Sequence, residues 1–248
     1  MNQYRADLHI HTLLSPCGDL EMSPVNIVEL ALQRNLQIIG ITDHNTTKHC
    51  TLIEKIAAQK GIFTLCGAEV TTKEEVHCLV FFEDKVKLFQ FQQYLEEHLA
   101  DIKNDPKKFG YQVVIDENEM IIEEVEKLLI SSINQSLNQL VKKVEELNGM
   151  FIPAHIDRSK YSLTSQLGFV PPDLKADAFE VSKHGSPEKI MKDFPWLKGA
   201  TFSRSSDAHF PDQLGTSYTV FELEKPSFKE IKMALHNEQG RKVVESSV

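Results

Sequence analysis

Short runs of β-branched and other apolar residues alternate along the chain with segments whose apolar positions recur at helical spacing. Such alternation is typical of βα units and predicts an α/β domain. The apolar runs predict eight strands, at Ala6–Ile10, Gln37–Thr42, Ile62–Ala68, Val76–Phe82, Met150–Ala154, Ala178–Val181, Thr201–Ser205 and Tyr218–Leu223.

The segments between the strands carry helix signals. Ser23 and Pro24 predict the start of a first helix, because serine is a good N-cap and proline suits the first helical position. Further helices are predicted at Leu52–Lys60, Val86–Ile102, Ser136–Leu147 and Phe228–His236.

Residues 104–130 break this rhythm with a cluster of basic and acidic residues. We predict a hairpin there, around Asp116-Glu117-Asn118, and interpret the segment as a lid or insertion. We expect residues 1–248 to form a single domain with this insertion.

Composition and charge narrow the class of protein. The chain has 41% hydrophobic and 25% charged residues, as in an ordinary soluble globular protein. Its net charge of −9 argues against a broad basic surface, so we expect a small phosphorylated substrate and no long nucleic acid. The N-terminal sequence lacks the apolar core of a secretory signal, and no apolar run approaches membrane-spanning length. We therefore predict a cytoplasmic protein without a membrane partner; the sequence predicts no oligomeric state.

The first candidate for chemistry is the pair His9 and His11. Side chains alternate along a strand, so these two imidazoles point to the same face, where their nitrogens can converge on one divalent ion. The pair alone is weak evidence, since two unrelated structural or surface histidines fit the same spacing.

The pattern recurs at or beside other predicted strands. Six of the ten histidines lie in such positions, together with two carboxylates. Because active sites of parallel barrels lie where the C-terminal ends of the strands meet, this recurrence predicts a multinuclear metal site. The side chains concerned are His9, His11, His44, Glu69, His77, His155, Asp207 and His209.

Five segments resemble the motifs of the PHP (polymerase and histidinol phosphatase) family. They are Asp-Leu-His-Ile-His-Thr, Ile-Thr-Asp-His-Asn, Gly-Ala-Glu-Val, Pro-Ala-His-Ile-Asp-Arg and Ser-Ser-Asp-Ala-His, in that order between Arg5 and about Gly215. The resemblance implies a distorted seven-stranded (β/α) barrel and a metal-dependent phosphoesterase, with two or three divalent ions that we expect to be manganese, zinc or iron.

The resemblance also implies a role for each ligand. One metal is expected on His9, His11, Glu69 and Asp207; a second shares Glu69 and adds His77 and His155; a third uses His44, His209 and an aspartate. The family places that aspartate where this chain has Pro16. Asp19 is our candidate replacement, Cys17 is a rival ligand that favours zinc, and the loop alternatively supplies no ligand.

We expect a water activated by the metals to hydrolyse a small phosphomonoester, such as histidinol phosphate or a nucleotide. Catalytic roles are expected for Glu69, Asp207 and His209; His209 or a neighbouring metal-associated water would protonate the leaving group. Substrate binding is expected from Arg158, Arg204 and His184. A surface salt bridge is the alternative for both arginines and is favoured for Arg204, and an exposed loop is the alternative for His184.

Three other functions stay open at this point: a phosphodiesterase or exonuclease on short oligonucleotides, an amidohydrolase-type C–N hydrolase, and a non-catalytic metal-dependent regulatory module. Two carboxylates also have two interpretations. Asp43 either orients a ligand or caps a helix, and Glu180 is either paired in the core or directed at the site. We expect His49 to lie on the surface.

Overall fold

The computed structural model describes residues 1–247, which form eleven strands and eight α-helices. The strands are β1 (Asn2–Ile10), β2 (Ile38–Ile41), β3 (Phe63–Thr71), β4 (His77–Phe82), β5 (Val113–Ile115), β6 (Ile121–Glu124), β7 (Met150–Pro153), β8 (Phe179–Val181), β9 (Phe202–Arg204), β10 (Tyr218–Leu223) and β11 (Lys242–Ser247). The helices are α1 (Pro24–Gln33), α2 (Cys50–Gln59), α3 (Lys85–His98), α4 (Pro106–Phe109), α5 (Leu137–Glu146), α6 (Leu163–Gln166), α7 (Pro187–Asp193) and α8 (Phe228–Leu235).

Seven strands form one curled, mixed sheet in the order β11-β10-β1-β2-β3-β4-β7. Only β1, β2 and β3 pair in parallel, and the other neighbours are antiparallel. The sheet closes half of a barrel, which confirms the predicted α/β barrel of the PHP type. All eight predicted strands are present, but β8 and β9 form a separate parallel pair, and β11 completes the large sheet instead.

The strand directions bring the chemical residues to one edge of the sheet. In the antiparallel pair of β3 and β4, Thr71 near the end of β3 lies opposite His77 at the start of β4. Strand β7 is antiparallel to β4 and therefore ends at the same edge, where Pro153 pairs with Cys78. His77 thus reaches the site from the beginning of its strand, whereas an all-parallel barrel would offer only strand ends.

The helices begin at the expected caps. The Ser23 side chain accepts a hydrogen bond from the Asn26 amide, and Ser136 forms a capping box with Gln139. The helix predicted to reach Ile102 ends at His98, because Leu99 has extended dihedrals. None of the described helices is long and apolar enough to cross a membrane.

The predicted hairpin in the insertion (residues 104–130) is confirmed. Strands β5 and β6 pair antiparallel on either side of Asp116. The carboxylate of Asp116 accepts hydrogen bonds from the amides of Asn118 and Met120, which fixes the turn. Val113 and Ile115 of β5 form a small apolar cluster with Leu13, so the hairpin packs beside the loop that follows β1.

Candidate metal centre

The two histidines of β1 are buried and converge. Both imidazoles are fully buried, and their Nε2 atoms lie 3.1 Å apart. The alternation of the strand puts both rings on one face, as predicted. Two nitrogens at this distance cannot both accept a hydrogen bond from each other, but both can donate a lone pair to a single cation.

Glu69 lies at the middle of the cluster. Three imidazoles lie near its Oε1 atom and two near its Oε2 atom: His77 at 2.8 Å, His9 at 3.2 Å and His155 at 3.2 Å, against His44 at 3.1 Å and His11 at 3.3 Å. Burial alone would raise the pKa of Glu69, but the surrounding imidazoles, His77 first, hold it well below its ordinary value. Each oxygen of this permanent anion faces its own set of nitrogens.

Asp207 and His209 approach from the segment after β9. Asp207 Oδ1 lies 3.2 Å from His9 Nε2 and 3.4 Å from His11 Nε2. The His209 ring stacks on the His11 ring, with centroids 4.0 Å apart. Asp207 and His155 have positive φ angles of 52° and 29°, a conformation that costs energy for residues other than glycine and often marks functional sites.

The donor atoms fit divalent cations. His44 Nδ1 and Asp207 Oδ1 are buried and make no hydrogen bond within the described residues. Buried polar atoms of this kind are costly unless they have a partner, and a cation would satisfy both. Three overlapping groups of side chains have ligand atoms close enough to share an ion: His9-His11-Glu69, His44-Glu69-His77 and His11-His44-His209.

The imidazoles differ in their affinity for protons. Burial lowers the pKa of His9, but Asp207, Glu180 and Glu69 outweigh burial and hold it well above its ordinary value. Burial and the neighbouring His11 lower the pKa of His209 to about 4. His209 is therefore neutral at physiological pH, which favours the role of a metal ligand over that of a proton donor.

A second set of side chains orients the first. Glu180 Oε2 lies 3.0 Å from His9 Nδ1 and also accepts a hydrogen bond from the His155 amide. Ser15 Oγ lies 3.0 Å from His11 Nδ1 and donates to Asp43. Glu180 is therefore a buried partner of a candidate ligand, and Asp43 orients the site rather than capping a helix.

The expectation that His49 lies on the surface is wrong. His49 is 1% exposed, its Nε2 accepts a hydrogen bond from the Ile115 amide in β5, and its Nδ1 lies 2.7 Å from Thr12 Oγ1. Thr12 donates in turn to Asp43. A chain of hydrogen bonds thus connects the insertion to the site. No sequence pattern indicates this connection, because Ile115 and Thr12 are distant from His49 along the chain.

Neither rival for the missing aspartate joins the described ligand groups. Asp19 Oδ1 accepts a hydrogen bond from the Glu21 amide, and the Asp19 amide donates to the His209 carbonyl, so Asp19 belongs to a turn beside the site. Burial, followed by the charge of Glu69, raises the pKa of the Cys17 thiol to about 12. Without a metal, Cys17 is therefore a neutral thiol near the carboxylates, and it is not part of the three groups of ligand atoms.

The residues predicted to bind substrate have different surroundings. Arg158 Nη1 lies 2.5 Å from Asp207 Oδ2 and has a 44% exposed side chain, so it lies at the edge of the cluster. Arg204 is buried and donates to the carbonyls of Ser182 and Gly185. His184 is exposed in the same loop. This arrangement favours Arg158 as the substrate ligand and gives Arg204 a structural task.

Comparison with protein families identifies the class. The model of the PHP domain matches residues 7–166, more than half of the chain, and the PHP-associated model matches residues 200–239. The chain belongs to the PHP domain family, as its motifs predicted. The predicted membership in this family is confirmed.

This chain spans only about two thirds or less of the length of the similar proteins named below. The chain is 25% identical over 276 residues to the uncharacterized protein YqxK of Bacillus subtilis, covering 98% of this chain and 65% of that protein. The structure is similar to the lesion-specific endonuclease PfuEndoQ of Pyrococcus furiosus, with a TM-score of 0.75, 21% identity, and coverage of 99% of this chain and 58% of that chain. A two-domain protein of Bacteroides vulgatus, described as containing a predicted PHP-like metal-dependent phosphoesterase, gives a TM-score of 0.57 at 16% identity, covering 98% and 65% of the two chains.

The expectation of a small substrate and no nucleic acid is contradicted. A structure of Endonuclease Q with a 27-mer duplex that carries an abasic lesion at the active site matches this chain with a TM-score of 0.73 at 20% identity, covering 99% of this chain and 59% of that one. The argument from net charge failed because −9 is a sum over the whole surface, whereas a polyanion responds to the local charge around the site.

Proposed function

We propose that this protein is a metal-dependent hydrolase of phosphodiester bonds in DNA strands. The observation that carries the proposal is the division of five imidazoles between the two oxygens of the buried Glu69. That arrangement is suited to a carboxylate shared by two cations.

The residues that would hold the ions are those already brought together: His9, His11, His44, Glu69, His77, His155, Asp207 and His209. Divalent cations bound there would lower the pKa of water and polarise a phosphoryl oxygen. No nucleophilic side chain is needed, and burial, followed by the charge of Glu69, raises the pKa values of the Cys17 and Cys78 thiols.

The chain itself supplies positioning and charge. Glu69 and Asp207 are anions whose pKa values are held well below the ordinary range, burial being outweighed in each case by neighbouring imidazoles, so both stay ionised to partner cations. The exposed guanidinium of Arg158 next to Asp207 can present paired N–H donors to the oxygens of a phosphate.

Two observations favour DNA over a small phosphomonoester. The Endonuclease Q structures share the fold over nearly the whole of this chain, and one of them holds duplex DNA at its active site. The side chains at the edge of the cluster also include Arg158 and Tyr161, both more than 40% exposed. A guanidinium and an exposed aromatic ring suit a nucleotide better than a small phosphate ester.

The test uses protein stripped with chelator and reloaded with Mn²⁺. End-labelled duplex DNA with one abasic site, the intact duplex and the single strand are incubated with wild type, His155→Ala and the control His98→Ala. His98 lies on α3, where its ring bonds the Tyr94 carbonyl. We expect metal-dependent strand cleavage by wild type and His98→Ala and at least 100-fold less by His155→Ala. Turnover of an aryl phosphomonoester without cleavage of any DNA would overturn the proposal.

A further inference from the structure

Tyr161 presents an exposed aromatic ring beside the candidate metal centre. Its ring stacks on the ring of His77, with centroids 4.7 Å apart and planes at 13°. Tyr161 is nevertheless 43% exposed. Because His77 covers one face of the phenol ring, the opposite face and the edge are the parts that solvent or a ligand can reach.

The backbone holds this ring in place. Tyr161 has a φ of 55°, an uncommon conformation for a residue with a side chain. Its carbonyl accepts a hydrogen bond from the His77 amide at 2.9 Å. The next residue, Ser162, caps α6 and donates to the Arg158 carbonyl at 2.6 Å. The backbone that carries the ring is therefore held in place before any ligand arrives.

One short loop, residues 155–162, carries three side chains that contact the candidate metal centre. His155 at its start lies 3.2 Å from Glu69, Arg158 contacts Asp207, and Tyr161 covers His77. A guanidinium that suits a phosphate thus lies three residues from a ring that suits a flat apolar partner. A nucleotide presents both groups, a phosphate and a base, a few ångströms apart.

We infer that Tyr161 stacks against a nucleobase that flanks the phosphodiester bond held at the metal centre. The inference rests on the proposed function, because it assumes a nucleic acid strand. Stacking on an aromatic ring tolerates any base and strengthens binding to single-stranded segments. The loop 155–162 therefore fixes the position of the nucleic acid strand along the site. Arg158 binds the phosphate, and Tyr161 stacks on the neighbouring base.

A purely structural task is the alternative for Tyr161, since its ring also packs on His77. Tyr161→Phe keeps the stacking surface, whereas Tyr161→Leu removes it but leaves apolar bulk against His77. Tyr111→Leu is the matched control, because Tyr111 is a second exposed tyrosine, 63% accessible, in the insertion. Metal content is measured for each variant, so that damage to the centre is detected.

The experiment measures the dissociation constant of a fluorescein-labelled, phosphorothioate-linked single strand, which resists hydrolysis, by anisotropy with Mn²⁺ present. A series of strands lacks the base at one position at a time. We expect Tyr161→Leu to bind the intact strand roughly 5- to 150-fold more weakly than wild type, and Tyr161→Phe and Tyr111→Leu to bind normally. At one position, removal of the base should weaken strand binding by wild type as much as Tyr161→Leu weakens binding of the intact strand. The same removal should leave binding by Tyr161→Leu unchanged.

Equal sensitivity of wild type and Tyr161→Leu to base removal at every position would overturn the inference, as would a loss of affinity explained by lost metal. The two proposals fail differently. Base-dependent binding through Tyr161 without strand cleavage would rule out only the nuclease function. Strand cleavage together with binding that does not depend on Tyr161 would rule out only the stacking.

Discussion

The carboxylate of Glu180 and the imidazole of His9 form a buried pair, with Oε2 3.0 Å from Nδ1. Because an ionised carboxylate only accepts hydrogen bonds, His9 carries a proton on Nδ1. Its Nε2 atom, which a metal would bind after displacing a proton, faces His11, Glu69 and Asp207. Glu180 therefore selects the tautomer that a metal ligand requires.

Glu180→Gln should weaken metal binding about 10- to 100-fold while the fold persists. The amide keeps the shape of the side chain but loses the charge that fixes His9. The measurement is metal affinity by competition with a chelating dye. Glu188→Gln is the control, since Glu188 is exposed on α7, where its carboxylate accepts a hydrogen bond from the Ser186 hydroxyl. Equal affinities for wild type and Glu180→Gln would show that Glu180 does not orient His9.

Glu69→Gln should damage activity more than His9→Ala or His44→Ala. The Glu69 substitution removes a negative charge that imidazoles at both carboxylate oxygens contact. Removal of His9 or His44 takes away one imidazole at a single oxygen. Metal content by mass spectrometry and strand-cleavage rates are compared at matched metal concentration. A glutamine variant that retains its metals and cleaves as fast as His44→Ala would rule out the shared carboxylate.

His49→Phe should loosen the insertion and weaken metal binding several-fold. The variant breaks the chain of hydrogen bonds from the Ile115 amide through His49, Thr12 and Asp43. Hydrogen exchange should be faster at the Ile115 amide, and metal affinity lower, than in wild type. His236→Phe is the control, because His236 lies at the end of α8 and contacts Asp177. Unchanged exchange at Ile115 would contradict the connection.

Metal affinity should rise with pH. Burial lowers the pKa values of His9 and His11, but the carboxylates around them outweigh burial and raise both. A metal must displace these protons, so acidification favours the protonated imidazoles and expels the metal, by up to about tenfold per pH unit for each proton displaced. Calorimetry in buffers of different ionisation enthalpy should show proton release at about pH 7. A metal affinity that does not change between about pH 6 and pH 8 would contradict this prediction.

The sequence predicted the strands and the candidate ligands because both depend on short-range patterns. Asp207 and His209 follow an apolar run directly, and His9 and His11 share a strand face. The orienting contacts could not be predicted in this way. Glu180 and His9 lie 171 positions apart in two separate sheets, and only the folded chain brings them together.

Other limits have their own physical causes. The rule that active sites lie at the C-terminal ends of parallel strands does not account for β4, whose antiparallel direction brings His77 to the site from the start of the strand. Tyr161 has no periodic signal, since its position depends on a loop with a positive φ angle. The partner was predicted wrongly from net charge, because a total charge carries no information on where the charges lie.

The most direct test of the account is an anomalous-scattering experiment on crystals of wild-type protein grown with Mn²⁺. The account predicts two strong peaks, one beside each carboxylate oxygen of Glu69, with His77 and His155 among the ligands of the ion at Oε1 and His11 and His44 among those of the ion at Oε2. A single peak that leaves one oxygen of Glu69 without a metal, or strong peaks only away from Glu69, would contradict it.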